Sequence, residues 1–263
     1  MAYIKTKQET QLILEGGKIL GKILEDLAKL VRPGVSAFEI DQAAEKMILA
    51  AGGRPAFKGY KNRRQDPAFP SAICACINEE LVHGIATREK ILKAGDIFTI
   101  DIGMEYKGYF TDTATTVIVG EIPQKTKDLL AVTQGALEAG IKQCKAGNTV
   151  ADIGRAIEDY VNKKGKYGIV RDLVGHGVGH AVHEDPRVPN YYAKENEKWV
   201  LEEGVVIAIE PMITLGTHEV VTADDGWSIS TADNSLCAHF EHTVIITKNG
   251  PVIATLRPGE KKL

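Results

Sequence analysis

Apolar residues at Leu12, Ile19, Leu20, Ile23, Leu24, Leu27 and Leu30 recur three, four and seven apart. That is the pattern of one buried helix face, and it predicts a helix over 7–30. A second helix is predicted over 36–51, stopping at Gly52-Gly53, with two more over 124–144 and 149–164, the last ending near Gly165. Runs rich in β-branched and aromatic residues predict strands over 72–78, 96–103, 109–119, 205–210, 227–231, 239–247 and 251–255. Strands grouped between helix pairs argue for an α+β class rather than alternating βαβ units.

The chain also repeats itself. Gly34, Ser36, Glu39 and Ile40 recur as Gly147, Thr149, Asp152 and Ile153, an offset of 113. In each copy a hydroxyl residue is followed three positions later by an acid, a pattern that satisfies the orphan N–H groups of a helix start. Leu92, Gly95, Ile100 and Asp101 recur as Leu201, Gly204, Ile209 and Glu210, an offset of 109. A weaker pair sets Val82-His83-Gly84 against Gly175-His176-Gly177. Ordered pairs at similar offsets predict a pseudo-symmetric, duplicated fold. No low-complexity linker divides the halves, so a single domain over 1–263 is expected, built from repeats over about 7–120 and 124–256.

Composition adds exclusions. Of 263 residues, 44% are apolar and 25% charged, which excludes disorder, collagen and coiled coil as overall descriptions. A net charge of −3 gives no global reason to expect DNA or an anionic membrane as partner. Apolar runs such as 205–209 are too short to span a bilayer, and residues 1–10 show no signal-peptide core. Four cysteines without framework spacing read as free thiols in a reducing compartment, so a cytoplasmic location is expected.

The candidate chemistry sits on the strands. Asp101 and Asp112 flank a turn near Tyr106, Lys107 and Gly108. A two-residue turn at 106–107 would place the two acids directly opposite each other; a turn shifted by one residue at each side would make them diagonal neighbours on one face. Carboxylates on one inward face repel unless a cation lies between them or one is protonated. Glu210 ends an apolar strand before Pro211, and Glu241 shares a strand face with His239 and Thr243. His176, His180 and His183 fall within eight residues of a glycine-rich segment in a chain with seven histidines; His180 reads as structural or exposed. Asp101, Asp112, His176, Glu210 and Glu241 form an oxygen-rich donor set with one imidazole, suited to Mn, Fe, Co or Zn, and the number of carboxylates favours two ions.

At these residues the sequence resembles the methionine aminopeptidases of type I. The resemblance runs from Ile4 to Gly259. Its motifs are Asn78-Glu79-Glu80-Leu81-Val82-His83-Gly84, Ile100-Asp101, Thr111-Asp112-Thr113, Gly175-His176-Gly177, His183-Glu184, Ile209-Glu210-Pro211-Met212 and Phe240-Glu241-His242-Thr243. It implies the pita-bread fold, two divalent ions (Co, Fe, Mn or Zn), and removal of initiator methionine when the second residue is small. By position, it implies that Asp101 and Asp112 bind the second ion, with Asp112 bridging. It further implies that His176 and Glu210 would complete the first ion's ligands and Glu241 would bridge both. It implies too that Glu210 would accept the nucleophile's proton, His83 would contact the scissile amide, and His183 would stabilise the carbonyl oxygen. Tyr60, Phe69, Cys74 and Trp227 fall at the methionine-pocket positions, while Val182 stands where bacterial members often carry phenylalanine. The expected partners are nascent polypeptide N-termini, met by a monomer. The segment 61–68 reads as an insertion, and Lys58, Lys61, Arg63 and Arg64 form a local basic cluster that transient contact with ribosomal RNA could use.

Overall fold

The computed structural model describes residues 4–61 and 65–261. Four helices form in two pairs: α1 (Lys7–Ala28), α2 (Ala37–Ala50), α3 (Gln124–Ile141) and α4 (Val150–Lys164). Two end earlier than periodicity suggests. Leu30 and Cys144 continue the apolar pattern but sit in turns beyond their helices, because a helix face and the turn closing it can bury residues on the same side. The repeated hydroxyl–acid signals do open helices: Ser36 N donates to Glu39 Oε2 at 2.9 Å, and Thr149 N donates to Asp152 Oδ2 at 2.8 Å.

The duplication is visible in individual hydrogen bonds. Gly34 N donates to Leu92 O at 2.8 Å, and Gly147 N donates to Leu201 O at 2.9 Å. Ala37 N donates to Lys90 O, and Val150 N donates to Trp199 O. Isolated bridges pair Ser36 with Ile91 and Thr149 with Val200. Each half therefore ties the start of its second helix to the turn that precedes its central strand.

Each half has an antiparallel sheet. In the first, strand Ile97–Tyr106 pairs with Tyr109–Ile118 on one edge and with Ile73–Ile77 and Arg54–Pro55 on the other. In the second, five strands run in the order Gly250–Ile253, His242–Thr247, Val206–Ile209, Gly175–Gly177, Glu184–Val188. One core gathers Leu20, Leu24, Ile40, Ile48, Ile100 and Ile102 under α1 and α2; another gathers Leu129, Leu137, Ile153, Ile157, Ile207 and Val244 under α3 and α4. This is the pita-bread arrangement, with duplicated α/β halves around a curved antiparallel sheet.

The expected strand over 239–247 is broken. It forms as Cys237–His239 and His242–Thr247, with Phe240 and Glu241 between them. Short strands at Glu80–Val82, Gly168–Ile169, Gly175–Gly177 and Met212–Thr214 carry too few residues to show alternation. Of the basic cluster, Lys58 is paired with Glu45 at 2.7 Å, whereas Arg63 and Arg64 lie outside the described residues.

Asp41 joins α2 to the sheet. Its buried Oδ1 accepts from Ala72 N at 2.7 Å and from Ile73 N at 3.1 Å. An Asp41→Ala substitution strands two interior N–H groups. It should lower unfolding stability by about 2–4 kcal/mol, read as the midpoint of urea denaturation; a change below about 1 kcal/mol would contradict this account of the joint.

Candidate metal centre and active site

The hairpin settles the relation between its two acids. Tyr106 pairs with Tyr109, so the turn is Lys107-Gly108, with φ of 53° and 87°, as a tight primed turn requires. Asp101 lies opposite Ala114, and Asp112 lies opposite Gly103. The acids are diagonal neighbours on one face, not directly opposed.

Hydrogen bonds carry this face to the second half. Asp112 N donates to Thr243 Oγ1 at 2.9 Å, and the same hydroxyl donates to Asp112 O at 2.8 Å. Thr113 Oγ1 donates to Glu241 O at 2.8 Å, and Glu241 N donates to Ala114 O at 3.0 Å. The break between the two strands of the second half thus lets the Glu241 backbone pair with the first-half hairpin. Beside it, His242 pairs with Ile209 and His176 pairs with Ala208, so Glu210, Glu241 and His176 issue from neighbouring strands.

The five expected donors converge. His176 Nε2 lies 3.6 Å from Glu210 Oε1 and 3.9 Å from Asp112 Oδ2. Asp112, His176 and Glu241 offer ligand atoms all within 4.8 Å of one another. Burial raises the pKa of Asp101, Glu210 and Glu241 well above the carboxylate range, each with further elevation from neighbouring acids. Burial pushes Asp112 up to about 7. Asp101 Oδ1, Asp112 Oδ1 and Glu241 Oε1 are buried and find no hydrogen-bond partner among the described residues. Orphaned carboxylate oxygens clustered with an imidazole fit a divalent cation, which would supply the missing partners and the compensating charge.

The imidazole is prepared for such an ion. Burial lowers the His176 pKa to about 3, so the ring is neutral. Its Nδ1–H donates to Gly177 O at 2.9 Å, which leaves the Nε2 lone pair facing the acids.

A cavity of about 540 Å³ opens onto this cluster. Its apolar end holds Phe57, Phe69, Cys74 and Trp227, with the Phe69 and Trp227 rings edge to face at 5.3 Å. Val182 packs into the same group. Cys74 pairs directly with Asp101 across the ladder, and burial beside that acid keeps its thiol protonated. His83, at φ 57°, packs its ring edge-on to Trp227, and burial lowers its pKa to about 4. His183 stands exposed at the mouth, with its Nδ1 2.9 Å from the Tyr60 hydroxyl and its ring 4.5 Å from that of His176. All the expected pocket residues therefore line one cavity, and His180 turns away to Glu9.

The model of metallopeptidase family M24 matches residues 11–248. This chain belongs to that family. It is 42% identical to a methionine aminopeptidase of Clostridium acetobutylicum over 97% of this chain and 99% of that one. It is 44% identical to one from Aquifex aeolicus, over 95% and 97%. A crystal structure of methionine aminopeptidase from Thermotoga maritima superposes with a TM-score of 0.90 at 40% identity, covering 96% of this chain and 98% of that one.

Two residues of this M24 site were not among the expected contributors. Phe57 lies just beyond the two-residue strand Arg54–Pro55 and opens a turn, where periodicity gives no signal. His239 is buried with its Nε2 3.7 Å from Glu210 and 3.9 Å from Glu241. Its signal was present in the sequence, because it shares a strand face with Glu241.

Asp112 makes the electrostatic balance measurable. Its raised pKa means that, in protein stripped of metal at pH 8, ionised Asp112 opposes folding. Asp112→Asn should therefore raise the melting temperature of the chelated protein at pH 8, with the gap shrinking as pH falls from about 7 toward the unfolded-state value near 4. The same variant should lose most of the melting-temperature gain that added Mn or Co gives the parent protein. A chelated variant less stable than its parent would show that the carboxylate is not under strain.

Proposed function

We propose that this chain is a methionine aminopeptidase of type I, which removes N-terminal methionine by metal-dependent hydrolysis of the first peptide bond. One observation carries the reading: Cys74, in the apolar end of the cavity, lies directly across the ladder from Asp101. A side chain held among Phe69, Cys74 and Trp227 is thus about one strand spacing, roughly 5 Å, from the acid cluster. Only the bond next to that residue falls within reach of the acids. A flexible, polarisable thioether suits such an aromatic and thiol lining.

The donor set supports two ions. Asp112, His176 and Glu241 form one group, with Asp101 and Glu210 on its flanks. Ligand type allows Co, Fe, Mn or Zn. Held by these residues, divalent ions would supply an activated water and polarisation of the scissile carbonyl. With cations offsetting the neighbouring acids, Glu210 would be ionised, and its desolvated carboxylate is then a strengthened base for the proton of the attacking water. With the Tyr60 hydroxyl donating to Nδ1, His183 carries its proton on Nε2 and donates it to the carbonyl oxygen as negative charge develops. His83, neutral beside Trp227, supports the departing nitrogen. The kinship with methionine aminopeptidases extends the reading to nascent chains with a small second residue, processed by a cytoplasmic monomer.

The test uses chelated protein, with and without Mn or Co, on Met-Ala-Ser, Met-Lys-Ser and Ala-Pro-Ser peptides. Metal-dependent release of methionine from the first alone is expected. Cleavage of the proline peptide instead would move the chain to an X-Pro activity. Glu210→Gln should lower kcat by about 10²–10⁴-fold, the range typical of a lost general base.

A further inference from the structure

The residues just before α1 reach the segment that carries His183. Ile4 bridges Val205, and Lys5 N donates to Gly204 O at 2.8 Å, so this strap is stitched to the second-half sheet. From it the Lys5 side chain runs inward and is fully buried. Its Nζ lies 2.5 Å from Glu184 Oε2. Gly179 makes room for it: a Cβ there would come within 2.6 Å of Lys5 Cε.

Glu184 follows His183 directly, and its other oxygen is also occupied. Oε1 accepts from the backbone N–H of His180 and, at 2.8 Å, from that of Ala181. One carboxylate therefore closes the 180–184 turn on itself and ties it to the strap. A second tie runs outside, where Glu9 in the first turn of α1 contacts His180 Nε2 at 2.7 Å. Charge and hydrogen bonding thus fix the backbone on both sides of His183, whose own side chain is exposed. A buried ammonium without a counter-charge is strongly unfavourable, so Lys5 and Glu184 hold each other in place.

We propose that Lys5 and Glu184 are positioning residues for the hydrolysis: from the N-terminal strap they hold the His183 ring where its N–H meets the substrate carbonyl oxygen. The inference rests on the role given to His183 above. Displacing a catalytic group by about 1 Å costs on the order of 10²-fold in rate.

The experiment is a cycle of metal-loaded parent, Lys5→Met, His183→Ala and the double variant, on Met-Ala-Ser. His183→Ala alone tests the underlying reading: an unchanged kcat would remove His183 from the mechanism whatever Lys5 does. Given that loss, Lys5→Met should lower kcat about 10- to 100-fold, with KM and metal content altered less than about threefold. In the His183→Ala background the same substitution should cost less than about twofold. Equal losses in both backgrounds, or a loss that follows metal content, would overturn the proposal. If Lys5→Met does not fold, Glu184→Gln replaces it, since the amide keeps an oxygen for the backbone N–H groups of His180 and Ala181 but loses the charge that holds Lys5. A fall in kcat that disappears with His183→Ala supports the strap, and an unchanged kcat overturns it.

Discussion

The structure is organised around a repulsion. Four carboxylates, Asp101, Asp112, Glu210 and Glu241, face one another out of water, and burial raises every one of their pKa values. Folding alone gains nothing from such a cluster, because each desolvated charge opposes the compact state. The apolar cores under the two helix pairs offset that cost, and a divalent cation would convert the repulsion into coordination. The same feature that weakens the metal-free fold is therefore the one that makes the site bind.

Duplication explains how the cluster can be both buried and well placed. Each half supplies acids on a strand, and neither half holds a complete donor set. The seam between them is closed by Thr113, Thr243 and the Glu241 backbone rather than by apolar packing alone. Hydrogen bonds have directional requirements that apolar contacts lack, so they fix the register of one half against the other. A donor set assembled in this way depends on the fold of the whole chain.

The helices, the long hairpin and the Asp112, His176 and Glu241 group were legible in the sequence because each leaves a periodic or chemical trace. Lys7–Ala28 shows its apolar face, Ser36 and Thr149 show their caps, and an aspartate within a β-rich run contradicts local propensity. The hairpin register was legible only to within two alternatives, since Tyr106, Lys107 and Gly108 allow more than one turn and only the ladder selects between them. Gly175–Gly177 was not legible as a strand: three residues cannot alternate, and two are glycine. Nor was the break at Phe240–Glu241, because the residues on either side read as one continuous strand. What breaks it is the demand of Ala114 and Thr113 for partners from the other half, a tertiary contact invisible along the chain.

The histidines show how one physical cause can serve different tasks. Desolvation lowers the pKa of His83, His176 and His239, and that of His183 where its ring meets the cavity mouth, so each ring is neutral near pH 7. A neutral imidazole has one donor and one acceptor nitrogen, and the partner of the first determines what the second can do. Gly177 O accepts from His176 Nδ1–H and leaves the Nε2 lone pair for a metal. The Tyr60 hydroxyl lies against His183 Nδ1, and when it donates there the proposed oxyanion contact has an Nε2–H to use. Had these rings been charged, both nitrogens would donate, and neither the metal-facing lone pair nor the difference between the two sites would exist. Desolvation supplies the neutral rings, the Gly177 carbonyl fixes the His176 tautomer, and the Tyr60 hydroxyl is the partner that His183 meets, so the difference between the two rings follows from which neighbour each one faces.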